Sequence, residues 1–292
     1  MKYIIGLLSF ACVITSYCAS AQALLADIDF YADITINAVD ADHRVRANEQ
    51  LVQLIETYLA NEEADLAALK DEVPFISQQQ LEGSAHTIYT WQVSVSDDAF
   101  ETYGYVKEAG GKVVKLQDLD VLDGDTVYEE LSPDRWLGAL YYNTIPTIVD
   151  GQQAWLLFGY DGHSKFDRIK VCDVIRFVDG EPVFGAEIFK RGDGPRPDVR
   201  SRLLLSYSSD SNVTLNYNPN LNIIMHDHLI NRMGRLPGQG TTWLSDGSYE
   251  GYMWDGEYWV YDEKVFEQVL QEGNYPRPTP VLEQRGEGRS SK

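Results

Sequence analysis

The sequence predicts an α+β fold dominated by antiparallel strands, with a helical pair near the N-terminus packed on or beside the sheet. Three observations predict it. Short runs of aromatic and β-branched residues follow one another from His86 onward. Seven Asp-Gly dipeptides, at 123, 150, 161, 179, 193, 246 and 255, punctuate those runs, and a helical apolar spacing is confined to about residues 42–73. Asp-Gly marks tight turns because both central residues of a type I′ turn adopt positive φ.

The chain opens on Met-Lys-Tyr and an apolar run from Ile4 to Ala19, closing on Ala19-Ser20-Ala21. This is the pattern of a cleavable export leader (a signal peptide over 1–21), with cleavage after Ala21, and the run is short for a retained membrane anchor. No later stretch reaches spanning length, so no transmembrane segment is expected in the mature chain. Ile28, Phe30, Ala32, Ile34 and Ile36 then alternate with polar residues and predict a first strand over 27–38. Leu51, Leu54, Ile55, Tyr58 and Leu59 fall at three- and four-residue spacing, the signature of an amphipathic helix. Asn61-Glu62-Glu63 is read as the cap of a second helix carrying Leu66 and Leu69, which ends before Pro74.

Three Asp-Gly pairs are read as hairpins: 144–149 with 153–158, 174–178 with 182–189, and 251–254 with 257–261. Further strands are expected over 202–207, 212–217 and 221–229. A short helix is expected to open at Ser132-Pro133, with Ser as cap and Pro in the first turn, burying Trp136 and Leu140. Another is expected over 263–271. Beyond it the residues are mostly Gly, Pro, Arg, Glu and Ser with almost nothing apolar, which predicts a disordered tail over 273–292 after a single domain over 22–272.

The chain carries 45 acidic and 24 basic residues, a formal charge of −21. Repulsion from phosphate argues against nucleic acid as a partner and against an anionic membrane surface. Removal of the leader takes Cys12 and Cys18 with it, so Cys172 stands alone and no internal disulfide is expected. Its apolar, strand-like surroundings make it a small buried hydrophobe.

Candidate chemistry centres on Met225-His226-Asp227-His228-Leu229. Alternate residues of a strand face one way, so His226 and His228 point both imidazoles toward one place, and Asp161, His163 or Asp167 could complete a divalent metal site. A denser set of oxygens, Asp118, Asp120, Asp123, Asp125 and Glu129, suggests calcium without the spacing of the known helix-loop-helix site. No nucleophile elbow, phosphate loop or dinucleotide fingerprint is present. Of the 6 Trp and 18 Tyr, a C-terminal group formed by Trp243, Tyr249, Tyr252, Trp254, Tyr258 and Trp259 could line a surface for sugar rings or peptides, or fill the core.

Several short motifs follow one another along the chain: Trp155-Leu156-Leu157-Phe158-Gly159-Tyr160-Asp161-Gly162, then Lys170 and Asp173-Val174, then Gly180-Glu181-Pro182-Val183-Phe184-Gly185, Leu205-Ser206-Tyr207-Ser208, Asp227-His228-Leu229 and Asp246-Gly247-Ser248-Tyr249 with Trp254-Asp255-Gly256. Over roughly 135–262 they resemble a group of uncharacterised exported proteins of Bacteroidetes-type bacteria. The resemblance implies export and an envelope setting, secreted or periplasmic, and no activity. It also implies an aromatic or apolar residue at the place of His226. Together these readings lead to the expectation of a non-enzymatic envelope protein that binds a partner or ligand and has no resident cofactor. The alternatives are a metal-dependent hydrolase centred on His226 and His228, and carbohydrate binding through Trp243, Tyr252, Trp254 and Trp259.

Overall fold

The computed structural model describes residues 22–62, 64–119, 122–263 and 265. The leader, the C-terminal tail and nearly all of the helix expected over 263–271 lie outside the described residues.

The fold is α+β and rich in antiparallel strands, as the turn signals and apolar periodicities predict. The expected first strand is instead a helix, α1, over 22–37. Its buried residues are Leu25, Ile28, Ala32 and Thr35, a three-and-four spacing, whereas Phe30 is 58% exposed. Of the five alternating apolar residues only Ile28 and Ala32 lie on this helical face, which Leu25 and Thr35 complete, and packing selected that face. Helix α2 (Ala41–Ala60) is capped by Asp40, whose side chain accepts from the Asp42 N–H, and buries Leu51, Ile55, Tyr58 and Leu59. Helix α3 (Leu66–Glu72) is capped by Asp65, which accepts from the N–H groups of Ala67 and Ala68, rather than by Asn61.

The strands form three sheets. In the first, β1 (Ser77–Gln80), β2 (His86–Ser94), β3 (Phe100–Glu108) and β4 (Val113–Gln117) form an antiparallel meander. The second has the order β11-β7-β6-β5, from β5 (Leu140–Val149), β6 (Gln152–Asp161), β7 (Asp167–Val178) and β11 (Leu203–Ser208), with β8 (Glu181–Phe184) also paired to β7. The third runs β10-β9-β15-β14-β13-β12, from β9 (Phe189–Arg191), β10 (Asp198–Arg200), β12 (Leu215–Asn218), β13 (Ile223–Met233), β14 (Thr241–Trp254) and β15 (Trp259–Asp262). Its β15-β9 pair is parallel.

Side-chain parity along the strands shows how these layers stack. In β2, Tyr89, Trp91 and Val93 join the core formed with the helices, while Ile88 points the other way into the core shared with the second sheet. In β6, Trp155 and Leu157 face that shared core, and Ala154, Leu156 and Phe158 face the third sheet. Strand β7 divides likewise, with Val171 and Ile175 on one side and Cys172 and Val174 on the other. The order is therefore helices, first sheet, second sheet, third sheet. The middle strands read as continuous apolar runs because both of their faces are covered.

The turns at 150–151 and 179–180 meet the expectation for Asp-Gly: Asp150 and Gly151 have φ of 51° and 74°, and Asp179 and Gly180 of 53° and 83°. The hairpin near 255 closes on a longer connection, with Trp254 paired to Trp259. At Ser132 the expected helix is a single 3-10 turn, Pro133–Arg135. Ser132 does not cap it: its hydroxyl turns to the Asp134 carboxylate. Trp136 is fully buried there, while Leu140 begins β5 and is half-buried.

A buried ion pair ties the 122–131 loop to the second sheet. Arg202 and Asp173 are inaccessible to solvent, with Nε of Arg202 donating to Oδ1 of Asp173 at 3.0 Å. The same guanidinium donates to the carbonyls of Thr126, Glu129 and Phe184, so a single side chain satisfies loop backbone that burial would otherwise leave unpaired. No helix among the described residues is long and apolar enough to cross a membrane.

Candidate functional site

Strands β13 and β14 pair in register from Ile223 with Met253 to Asp227 with Tyr249, and the register then shifts so that Leu229 faces Ser245. The shift is a bulge in β14 at Asp246-Gly247-Ser248. Gly247 has a φ of 85°, which a residue with a Cβ rarely adopts. The sixth Asp-Gly pair thus bends a strand instead of closing a hairpin, and it turns Asp246 toward His228, with Oδ2 3.2 Å from Nδ1. Hydrogen bonds from Ser248 hold the Asp246 carboxyl below the usual carboxylate range.

His226 is the cross-strand partner of Glu250. Both imidazoles reach that carboxylate: Nε2 of His226 lies 3.9 Å from Oε2, and Nε2 of His228 lies 3.6 Å from Oε1. The strand alternation that placed the two imidazoles on one face therefore holds, and the group they meet is Glu250. Between them Asp227 ties β13 to β14 and to the residue just before β12. It accepts from the Thr214 N–H at 2.7 Å, the Thr214 hydroxyl at 2.5 Å and the Ser245 hydroxyl at 2.6 Å.

His226, Asp227, His228 and Glu250 line a cavity of about 410 Å³ between the third sheet and β11, a volume typical of small-molecule sites. Leu204, Leu205, Leu229 and the half-exposed Trp243 supply apolar wall, and Arg191 and Arg200 supply positive charge. Arg200 is committed to Asp198, with Nη2 at 2.7 Å and Nε at 2.9 Å from Oδ2. Arg191 makes no ion pair among the described residues. Its guanidinium stacks on the Tyr261 ring, 4.0 Å from the centroid. Burial and the nearby Glu250 carboxylate push the Tyr261 pKa well up.

The protonation of His226 follows from its partners. Nδ1 lies 3.0 Å from the carbonyl oxygen of Asp227, which can only accept, so Nδ1 carries the hydrogen and Nε2 is left as a bare acceptor. Burial lowers the pKa of this imidazole, which favours its neutral form.

The remaining sequence candidates lie elsewhere. His163 sits 3.5 Å from Asp161, and Asp161 accepts from the Gln92 amide at 2.8 Å, which places this pair at the end of β6 against the first sheet. The Asp161 carboxylate raises the His163 pKa. Asp167 accepts from the Thr242 hydroxyl at 3.0 Å. The acidic run does not converge either. Asp118 accepts from the Thr102 N–H, Asp123 accepts from the Thr126 hydroxyl, Glu129 pairs with Arg135, and Asp120 lies outside the described residues. Among the described residues, no group of three or more His, Cys, Asp or Glu side chains could hold a metal ion. Of the aromatic candidates, Tyr252 and Trp259 are buried, Trp254 packs on Trp259 with centroids 5.5 Å apart, and Trp243 alone borders the cavity. Compared with known proteins, the chain matches no family model, no curated protein and no solved structure.

Sequence reasoning missed Glu250, Arg191 and Tyr261. Glu250 was recoverable in principle, because pairing β13 with β14 sets it opposite His226. Arg191 and Tyr261 meet through the parallel β9-β15 pairing, for which no local motif exists.

Proposed function

We propose that this chain is an exported envelope protein that binds a small anionic ligand in the cleft beneath Trp243, holding the ligand's acidic group on Arg191. One observation carries the reading: on the wall of a cavity of small-molecule size, the exposed Arg191 guanidinium lies over the Tyr261 ring and pairs with no carboxylate among the described residues, while its neighbour Arg200 is paired with Asp198. A guanidinium held over a ring keeps its fork of N–H donors oriented, which suits bidentate capture of a carboxylate or phosphate. The leader-like sequence supports export. The metal-dependent hydrolase gains no support, because its third ligand was to come from residues that contact Gln92 and Thr242 instead.

The test is a thermal-shift and calorimetry panel of small carboxylates and phosphates at low salt, run on the native protein and on Arg191→Gln. A binder at a hundred times its Kd should add about 2.7 kcal/mol of stability. The variant should lose about tenfold or more in affinity while keeping its fold, since a hydrogen-bonded charge contributes about 1.5–3 kcal/mol. If no anion in the panel binds, or if Arg191→Gln binds equally well, the reading falls.

A further inference from the structure

We propose that the ligand is a small zwitterion, an amino acid with an apolar side chain, whose ammonium group lodges between His226 and Glu250 while its carboxylate meets Arg191. This inference rests on the reading of the cleft as a ligand site and adds the chemistry of the ligand's other end.

Two acceptors face each other without a donor between them. In neutral His226, Nε2 has no hydrogen, because Nδ1 carries it to the Asp227 carbonyl, and the carboxylate oxygen of Glu250 stands 3.9 Å away. That separation is too long for a hydrogen bond. It suits a third atom: an N–H donor at about 2.9 Å from each closes a triangle on this base. The other oxygen of Glu250 has His228 Nε2 at 3.6 Å. With Nδ1 of His228 directed at Asp246, that ring too presents its Nε2 toward the same carboxylate. An ammonium group has three N–H donors and one positive charge, and here it meets a carboxylate and two imidazole nitrogens. The lowered pKa of His226 favours the same arrangement, since a neutral imidazole does not repel the cation.

Tyr261 sets the spacing of the two ends. Glu250 lies near enough to raise the Tyr261 pKa, and the Tyr261 ring carries the Arg191 guanidinium, so the acidic and basic groups of the cleft both neighbour one phenol. Opposite charges held so close select a compact molecule bearing both complements. Leu204, Leu205, Leu229 and Trp243 leave an apolar wall for the side chain.

The experiment is calorimetry with leucine, N-acetyl-leucine and leucinamide on the native protein, with Glu250→Gln and Arg191→Gln in parallel and each variant's fold checked by circular dichroism. Leucine should bind, and each blocked form should bind about tenfold or more weakly, the loss expected for one charged hydrogen-bonded contact. Glu250→Gln should erase the preference for leucine over N-acetyl-leucine, and Arg191→Gln the preference over leucinamide. If N-acetyl-leucine binds the native protein as tightly as leucine, the zwitterion is overturned while the anion site survives. If none of the three binds, the zwitterion is overturned, and the fate of the anion site is decided by its own panel. Because the comparison among ligands uses the native chain, an unfolded variant does not rescue the proposal.

Discussion

At the scale of single residues, the molecule separates groups that carry charge for binding from groups whose charge is a burden. Asp118 belongs to the second kind. Burial pushes its pKa up to about 7, and the nearby Asp161 and Glu101 add to the effect, although N–H bonds from Thr102 and Leu119 oppose it. Its folded pKa lies above the unfolded carboxyl value of about 3.9. Between those values the folded state binds more protons than the unfolded state. The contribution is therefore fully present below pH 4 and is lost as pH rises through about 7. At full ionisation the cost is about 2–4 kcal/mol, at 1.36 kcal/mol per unit and discounted for partial exposure. Asp118→Asn should remove this slope, so that urea titrations from pH 4 to 8 show a variant that gains on the native protein as pH rises. A constant difference between the two proteins would contradict the assignment. The histidines of the cleft show the converse. His226 is deeply buried, yet a single backbone carbonyl fixes its tautomer and directs a bare nitrogen at Glu250.

Elements were legible to different depths, and the reasons are physical. The hairpins at 150–151 and 179–180 were readable because a two-residue turn with both φ values positive demands a particular dipeptide, and Asp-Gly supplies it. The bulge at Gly247 used the same dipeptide for another purpose, and nothing local distinguishes the two. Strand parity brought His226 and His228 together correctly, but their partner depended on register with β14. The segment over 27–38 reads as a strand but folds within a helix over 22–37, because its apolar residues satisfy both a period of two and a helical stripe, and only docking decides between them. This difference gives a sharp test. In the helix, Ile28 is fully buried and Phe30 is mostly exposed, whereas on an alternating strand the two side chains would share one face. Ile28→Ala should cost about 2–5 kcal/mol in urea unfolding, and Phe30→Ala less than about 0.5 kcal/mol. Equal losses at both positions would favour the strand.

Across the whole molecule, the second sheet is the member on which the other layers depend, since it forms a core with the first sheet on one face and with the third on the other. The cleft lies at the border of that second core, where β11 meets the third sheet, so ligand contacts are mounted on strands. Cys172 reports on the integrity of this stack. It lies in the middle of β7, fully buried against the third sheet, and burial raises its thiol pKa far above the ordinary value. Residues 22–292 contain no other cysteine, so one thiol signal has one source. A thiolate can form and meet a reagent only when the second and third sheets part. Because both cores share the second sheet, that event approaches global unfolding, which for domains of ordinary stability lies about 5–15 kcal/mol above the folded state. A chain of residues 22–292 should therefore react with an aromatic disulfide more than about a thousandfold slower in native buffer than in denaturant, where one thiol per chain should titrate. Sub-denaturing urea should accelerate the reaction with the same dependence that equilibrium unfolding shows. If labelling in native buffer is fast, or insensitive to urea, the third sheet opens independently of the rest and the cleft sits on a movable layer.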